Sequence, residues 1–130
     1  MRWFFFRSTG RFTEHDFINL LRAAYDDPRH TPTFNHVWDS RDIEELVVGA
    51  NVINMYRDLL NEYENQITRE RIAIVAVRTI TRTFSSMLVQ VGNGHPATFR
   101  LFEDLETAAE WIGVPASALI DIPDQDWTGV

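Results

Sequence analysis

The 130-residue chain carries 19 acidic against 12 basic residues, a net charge of −7, and no cysteine. This balance argues against nucleic acid as the main partner, because a phosphate backbone rewards clustered cations. The missing thiol removes disulfides, cysteine nucleophiles and thiolate metal sites. All the basic residues are Arg, which excludes Schiff-base lysine chemistry and the lysine-dependent phosphate loop.

Along the chain, "MRWFFF" is too short for the apolar region of a secretory signal and reads as a strand over Trp3 to Phe6, ending in the turn-prone Ser8-Thr9-Gly10. Thr13 stands where an N-cap belongs. Glu14 and Asp16 fill the first turn after it, and Phe17, Leu20, Leu21 and Ala24 recur at i, i+3, i+4, i+7, so a helix runs to about Tyr25. The proline-containing "DDPRHTP" reads as a surface loop. Phe34 to Trp38 is a second strand, with the charged run Asp39-Ser40-Arg41-Asp42 placed where it stops. Ile43 to Val48 reads as either a short extension or an irregular stretch.

Val52, Tyr56, Leu59, Leu60 and Tyr63 predict a helix from about Asn51 to Glu64. "IAIVAV", Ile72 to Val77, is apolar without alternation, the pattern of a central strand covered on both faces of a parallel sheet. Phe84, Met87, Leu88 and Val91 give a third helix, stopped by "GNGHP". Ala97 to Phe102 is the next strand. Asp104 is the natural N-cap of a last helix that turns Leu105, Ala108, Ala109 and Ile112 inward, with Gly113 and Pro115 beyond it.

Alternating strands and helices imply one α/β domain with a mostly parallel or mixed sheet of four to five strands and about four helices, over residues 1–114. Residues 115–130 form an acidic tail, read as a short helix or a loose segment. No run of about twenty apolar residues suggests a membrane span, and a cytoplasmic location is expected.

The stretches "STGRFTEHDF", "FNHVWDSRDI", "RIAIVAV" with "FSSMLVQV", and above all "FRLFEDLETAAEWIG" resemble the bacterial SpoIIAA-like or STAS-like domains, which are related in fold to anti-sigma-factor antagonists and to CRAL-TRIO (Sec14) domains. The resemblance implies a single-domain β-α superhelix and names no catalytic residue or cofactor. Members of the family have a further strand ahead of the first one seen here, so that strand is expected to be missing or shortened. The antagonists are switched by phosphorylation of a serine that follows an Asp at a strand end, which makes Ser40 the candidate phosphoacceptor, with Arg41 or Arg78 as partners for its charge.

In open α/β sheets ligands bind beyond the carboxyl ends of the strands. That rule selects Asp39, Ser40, Arg41, Arg78, Arg82 and Asp104 as a candidate ligand or partner edge. Three arginines there would either grip a carboxylate or phosphate in two-pronged fashion or pair with the nearby carboxylates. Phe84, Met87, Leu88 and Phe102 are the candidate apolar pocket. No two histidines have metal-ligand spacing, so no metal and no cofactor are expected. His36, between Phe34 and Trp38, is expected to be half-buried and structural. Trp111 lies off the apolar stripe of the last helix, and Trp127 lies in the tail.

Two classes of function follow. One is a non-enzymatic regulatory or protein-interaction module that docks a partner or forms a homodimer, with an exposed apolar patch. The other is a carrier of a small hydrophobic or anionic, lipid-like molecule, with a pocket of roughly 300 Å³ or more.

Overall fold

The computed structural model describes residues 3–26, 35–65, 71–92 and 98–115. The elements alternate as β1 (Trp3–Thr13), α1 (Glu14–Asp26), β2 (Asn35–Val47), α2 (Val52–Glu62), β3 (Arg71–Val75), α3 (Thr79–Gly92), β4 (Thr98–Phe102) and α4 (Leu105–Ile112). The strands form one parallel sheet in the order β1-β2-β3-β4. Crossovers of one hand between strands laid down in one direction put the connecting helices on the same face. Accordingly Leu21 of α1, Leu59 of α2 and Leu88 of α3 share a core with Phe6, Trp38, Ile74 and Phe99. Among the described residues α4 alone covers the opposite face, where Leu105, Ala108 and Ile112 meet Phe5, Val37 and Val75.

Strand alternation assigns each residue to one of these cores. Ile72 and Ile74 belong to the three-helix side and Ala73 and Val75 to the α4 side. The unbroken apolar run of β3 is therefore what a two-sided central strand requires. The caps also form where the sequence places them. Thr13 Oγ1 accepts from Asp16 N at 3.2 Å while Asp16 Oδ2 accepts from Thr13 N at 2.9 Å, a reciprocal capping box. Asp104 accepts from Thr107 N at 2.8 Å, and Gly113 closes α4 with φ 92°.

Three expectations are corrected. β1 does not turn at Ser8-Thr9-Gly10 and β2 does not stop at Trp38; they continue side by side to Thr13 and Val47. The pairing of β2 with β3 ends at Asp39↔Val75, so beyond that point β1 and β2 overhang the sheet as a two-stranded parallel ribbon. The turn-forming residues serve as irregularities within it. The register shifts between Arg7 and Thr9 and again between Gly10 and Arg11, with Gly10 at φ 64°. The polar Asp39–Asp42 segment stays extended because ladder hydrogen bonds are made by the backbone. His36, in turn, is wholly buried rather than half-buried (0% exposed), since α1 and α2 close over this face of β2. It is packed by the rings of Phe6, Tyr25 and Trp38 at 5.6 to 6.3 Å.

The "DDPRHTP" loop, His30, His95, Trp127 and the tail beyond residue 115 lie outside the described residues, apart from Asp26 at the end of α1.

Candidate functional site

The ribbon divides the predicted edge into two sites. On the α4 side, Asp39 is fully enclosed (side chain 0% exposed) and lies in register with Arg7 of β1. Arg41, two residues on and therefore on the same side, donates from Nε to Asp39 Oδ1 at 2.9 Å and from Nη2 to Oδ2 at 3.0 Å. Its backbone N–H adds a third bond to Oδ1 at 3.2 Å, and Arg7 Nε stands 3.5 Å from Oδ2. The Arg41 pKa is raised above its ordinary value, first by the hydrogen bond to Asp39, with burial opposing and the charges of Asp39, Asp42 and Asp104 adding to the rise. Asp104 is correspondingly low, held down first by the Thr107 backbone N–H and hydroxyl and last by Arg41.

The other two arginines take separate partners. Arg78 Nη1 donates to the Ile43 carbonyl at 3.2 Å, tying α3 to the ribbon. Arg82 Nη1 donates to the Ala76 carbonyl at 3.0 Å and lies 3.6 Å from Glu103. The structure thus brings Arg41, Arg78 and Arg82 to one end of the sheet but engages each guanidinium with the protein itself. Arg7, the further cation at Asp39, was missed from the sequence. The signal that would have found it is the Arg7↔Asp39 register, legible only once β1 is carried past Phe6.

On the three-helix side, the ribbon roofs a cavity of about 30 Å³. Its walls include Phe17, Leu20, Trp38, Ile74, Phe84 and Leu88, and the hydroxyl-bearing Ser8, Ser40, Thr81 and Ser85 also line it. Alternation explains the location of Ser40. It follows Trp38 onto this face while Asp39 and Arg41 take the other, so a phosphate on Ser40 would face apolar walls and not Arg41.

A second, open concavity of about 580 Å³ runs between the β2–α2 connection and α3. Val48, Val52, Ile53, Ile80 and Met87 line it, and Leu46 and Phe84 belong to the walls of both cavity and groove. The four predicted pocket residues therefore separate. Phe84 and Leu88 reach the cavity, whereas Met87 is 43% exposed on the groove. Phe102 is on the opposite face of the sheet, against Trp111 at 5.6 Å, because its β4 position alternates away from Phe99. Trp111 folds back on its own domain by that contact.

Among the described residues no group of three His, Asp or Glu side chains is placed to hold a metal, and no helix is long and apolar enough to cross a membrane.

A four-stranded parallel sheet with three helices on one face and one on the other defines an α/β domain of the SpoIIAA-like type. The comparison that places it there is with a crystal structure of an uncharacterised protein of the DUF3478 family with a SpoIIAA-like fold from Shewanella loihica PV-4. The two superpose with a TM-score of 0.52 at 20% sequence identity, over 83% of this chain and 82% of that one. A scan against protein-family models and a search of curated proteins return no match.

Proposed function

We propose that this domain is a non-enzymatic regulatory module that docks a partner protein in the groove between the β2–α2 connection and α3. The observation that carries this reading is the second face of α3. Thr81, Phe84, Ser85 and Leu88 point into the core, while Ile80 and Met87, two turns apart, stand 59% and 43% exposed along the groove. Apolar side chains at that spacing beside an apolar trough are what the nonpolar stripe of a partner helix recognises. The net charge of −7 favours a helix whose polar face is basic. The polar edge, by contrast, has its charges engaged internally, with Asp39 held by Arg41 and Arg82 held at Ala76.

The test is a photo-crosslinking amino acid at position 87, introduced in the native host and compared with the same chain carrying Ile80→Glu. A discrete adduct that disappears with Ile80→Glu supports the reading, and its mass identifies the partner or a second copy of the chain. Unchanged adducts in the variant, or none in either chain, would sink it.

A second reading, a carrier of a small apolar molecule, is favoured by one observation. The groove's volume of about 580 Å³ falls in the range of ligand sites, roughly 300–1,000 Å³, and among the described residues Leu46 and Phe84 line both it and the internal cavity.

A further inference from the structure

On the α4 side of the sheet, away from the groove, two aromatic rings are bracketed by two cations. Trp111 of α4 and Phe102 of β4 meet at 5.6 Å between ring centres, and each also carries a guanidinium. Arg71 lies 5.5 Å from the Trp111 ring and Arg100 lies 5.6 Å from the Phe102 ring. Strand register explains the assembly. Arg71 of β3 pairs with Thr98 of β4, so Arg100, two residues past Thr98, is its diagonal neighbour on the same face. Both arginines are exposed and both rings are half-buried.

Most arginines of the sheet strands and their ends are matched by a carboxylate. Arg7 and Arg41 hold Asp39, Arg11 lies beside Glu45, and Arg82 lies beside Glu103. Arg71 instead gives one Nη1 hydrogen to the Trp111 carbonyl at 2.7 Å, and among the described residues neither it nor Arg100 forms an ion pair. Even the exposed carboxylates of α4, Glu106 and Glu110, engage neither guanidinium. Stacking on a ring fixes the plane of a guanidinium and leaves its edge donors for a carboxylate to bridge in two-pronged fashion. On a chain of net charge −7, two such cations on one face are the complement of an anionic partner.

The backbone beside them restricts the shape of that partner. β4 ends the described sheet and pairs with β3 alone. The Phe102 carbonyl accepts from Ala76 N at 3.0 Å, so the backbone groups of Phe102 and Arg100 turn toward β3, while those of Leu101 between them turn to the outer edge. An open edge recruits extended chain, and a charge on it decides which chain is admitted. A strand laid along β4 presents alternate side chains on the α4 face, where the residue opposite Arg100 meets its guanidinium. An acidic residue is favoured there and a basic one is repelled.

We propose that the β4 edge binds an extended acidic segment of a partner protein, with its backbone paired at Leu101 and its carboxylates held by Arg100 and Arg71 over the Phe102–Trp111 pair. This surface is independent of the groove, because α3, which carries Ile80 and Met87, packs on the opposite face of the sheet.

The test is an NMR titration of the full chain at pH 7 and low salt with a short peptide that alternates aspartate and valine, compared with the same peptide carrying lysine for aspartate. The signals followed are the Leu101 amide, the Trp111 indole N–H and the Nε–H groups of Arg71 and Arg100. The aspartate peptide is expected to move all of them and the lysine peptide none. Arg100→Gln and Arg71→Gln, both at exposed positions, should each weaken binding about three- to tenfold while the backbone spectrum keeps its native dispersion. Two further aspartate peptides carry methyl groups on one or the other alternating set of backbone nitrogens. One should bind and the other should not, since one set faces β4. Ile80→Glu, which probes the groove, should leave the titration unchanged. No shift with the aspartate peptide, equal binding of the lysine peptide, unchanged affinity in both arginine variants, or equal binding of the two methylated peptides would overturn the proposal. Binding that appears only in a chain carrying Asp121→Asn, Asp124→Asn and Asp126→Asn would overturn it too, because the arginines would then already serve carboxylates of their own chain.

Discussion

Arg41 closes on both oxygens of Asp39 from two residues away in the same strand, at 2.9 and 3.0 Å, while the Asp39 side chain is shut off from solvent. The fork satisfies a buried carboxylate at the last β2 position that still pairs with β3. Breaking a buried pair by removing one partner costs about 3–5 kcal/mol. Here Arg41 is about one-third exposed and Arg7 remains nearby, so Arg41→Ala is expected to cost about 2–3 kcal/mol in chemical denaturation. Arg41→Lys should recover less than half of that, because an ammonium cannot reproduce the fork.

Gly92, the last residue of α3, lies against the Phe99 ring. A Cβ there would sit 2.3 Å from Phe99 Cδ1. The ring has no room to retreat, being wedged edge-on between Trp38 and Tyr56 at 6.0 and 6.2 Å. Gly92→Ala is therefore expected to destabilise by about 1–3 kcal/mol despite alanine's helix preference. Combining it with Phe99→Leu should cost less than the sum of the two single changes. A double-mutant cycle by urea denaturation reads that coupling directly.

Tyr63 joins the ends of two helices. Its hydroxyl donates to Asp26 Oδ1 at 2.8 Å and its ring stacks on Tyr25 at 5.2 Å. The pKa of Tyr63 is raised, first by burial and then by the Asp26 bond. Since the folded value exceeds the unfolded one, this contribution is complete below the ordinary value of about 10 and is lost as pH rises through the folded value. Tyr63→Phe is expected to cost about 1 kcal/mol at pH 7 and to flatten the fall in stability above pH 10. Thermal melts of both chains from pH 8 to 11 make the comparison.

What the sequence disclosed and what it concealed divide along physical lines. Side-chain patterns announced the elements that bury apolar surface, so the β-α alternation, the two-sided β3 and the caps at Thr13, Asp104 and Gly113 were legible. The ribbon was not, since its extension rests on backbone pairing through Ser8-Thr9-Gly10 and Asp39-Ser40-Arg41, residues whose local preference is for turns. Missing that overhang put Ser40 among charges when it lines an apolar cavity. It also hid the shared wall of Leu46 and Phe84, which the chain separates by almost forty residues. Phe102 was misplaced for a different reason. Strand alternation tells which residues share a face, but only the stacking of the helices tells which face holds the cavity.

Asp104 links α4, the only helix on its face of the described sheet, to the Asp39–Arg41 cluster. Its Oδ1 accepts from the Thr107 backbone N–H at 2.8 Å and from the Thr107 hydroxyl at 2.9 Å. Those bonds, with a smaller contribution from Arg41, keep the carboxyl below its ordinary value of about 3.8. A depressed folded pKa stabilises above the unfolded value and is lost as pH falls through the folded one, so the cap holds at neutral pH and loosens only in acid. Asp104→Ala should speed amide exchange at Thr107 at pH 7, because that N–H loses its acceptor at the first turn. Asp104→Asn should keep most of the protection and remove the acid dependence, since an amide oxygen caps without titrating. The decisive comparison is Thr107 exchange measured from pH 3 to 7 and corrected for its intrinsic rate. Protection in the native chain that does not fall at the acid end would mean that the Asp104 charge plays no part in holding α4 against Val37 and Val75.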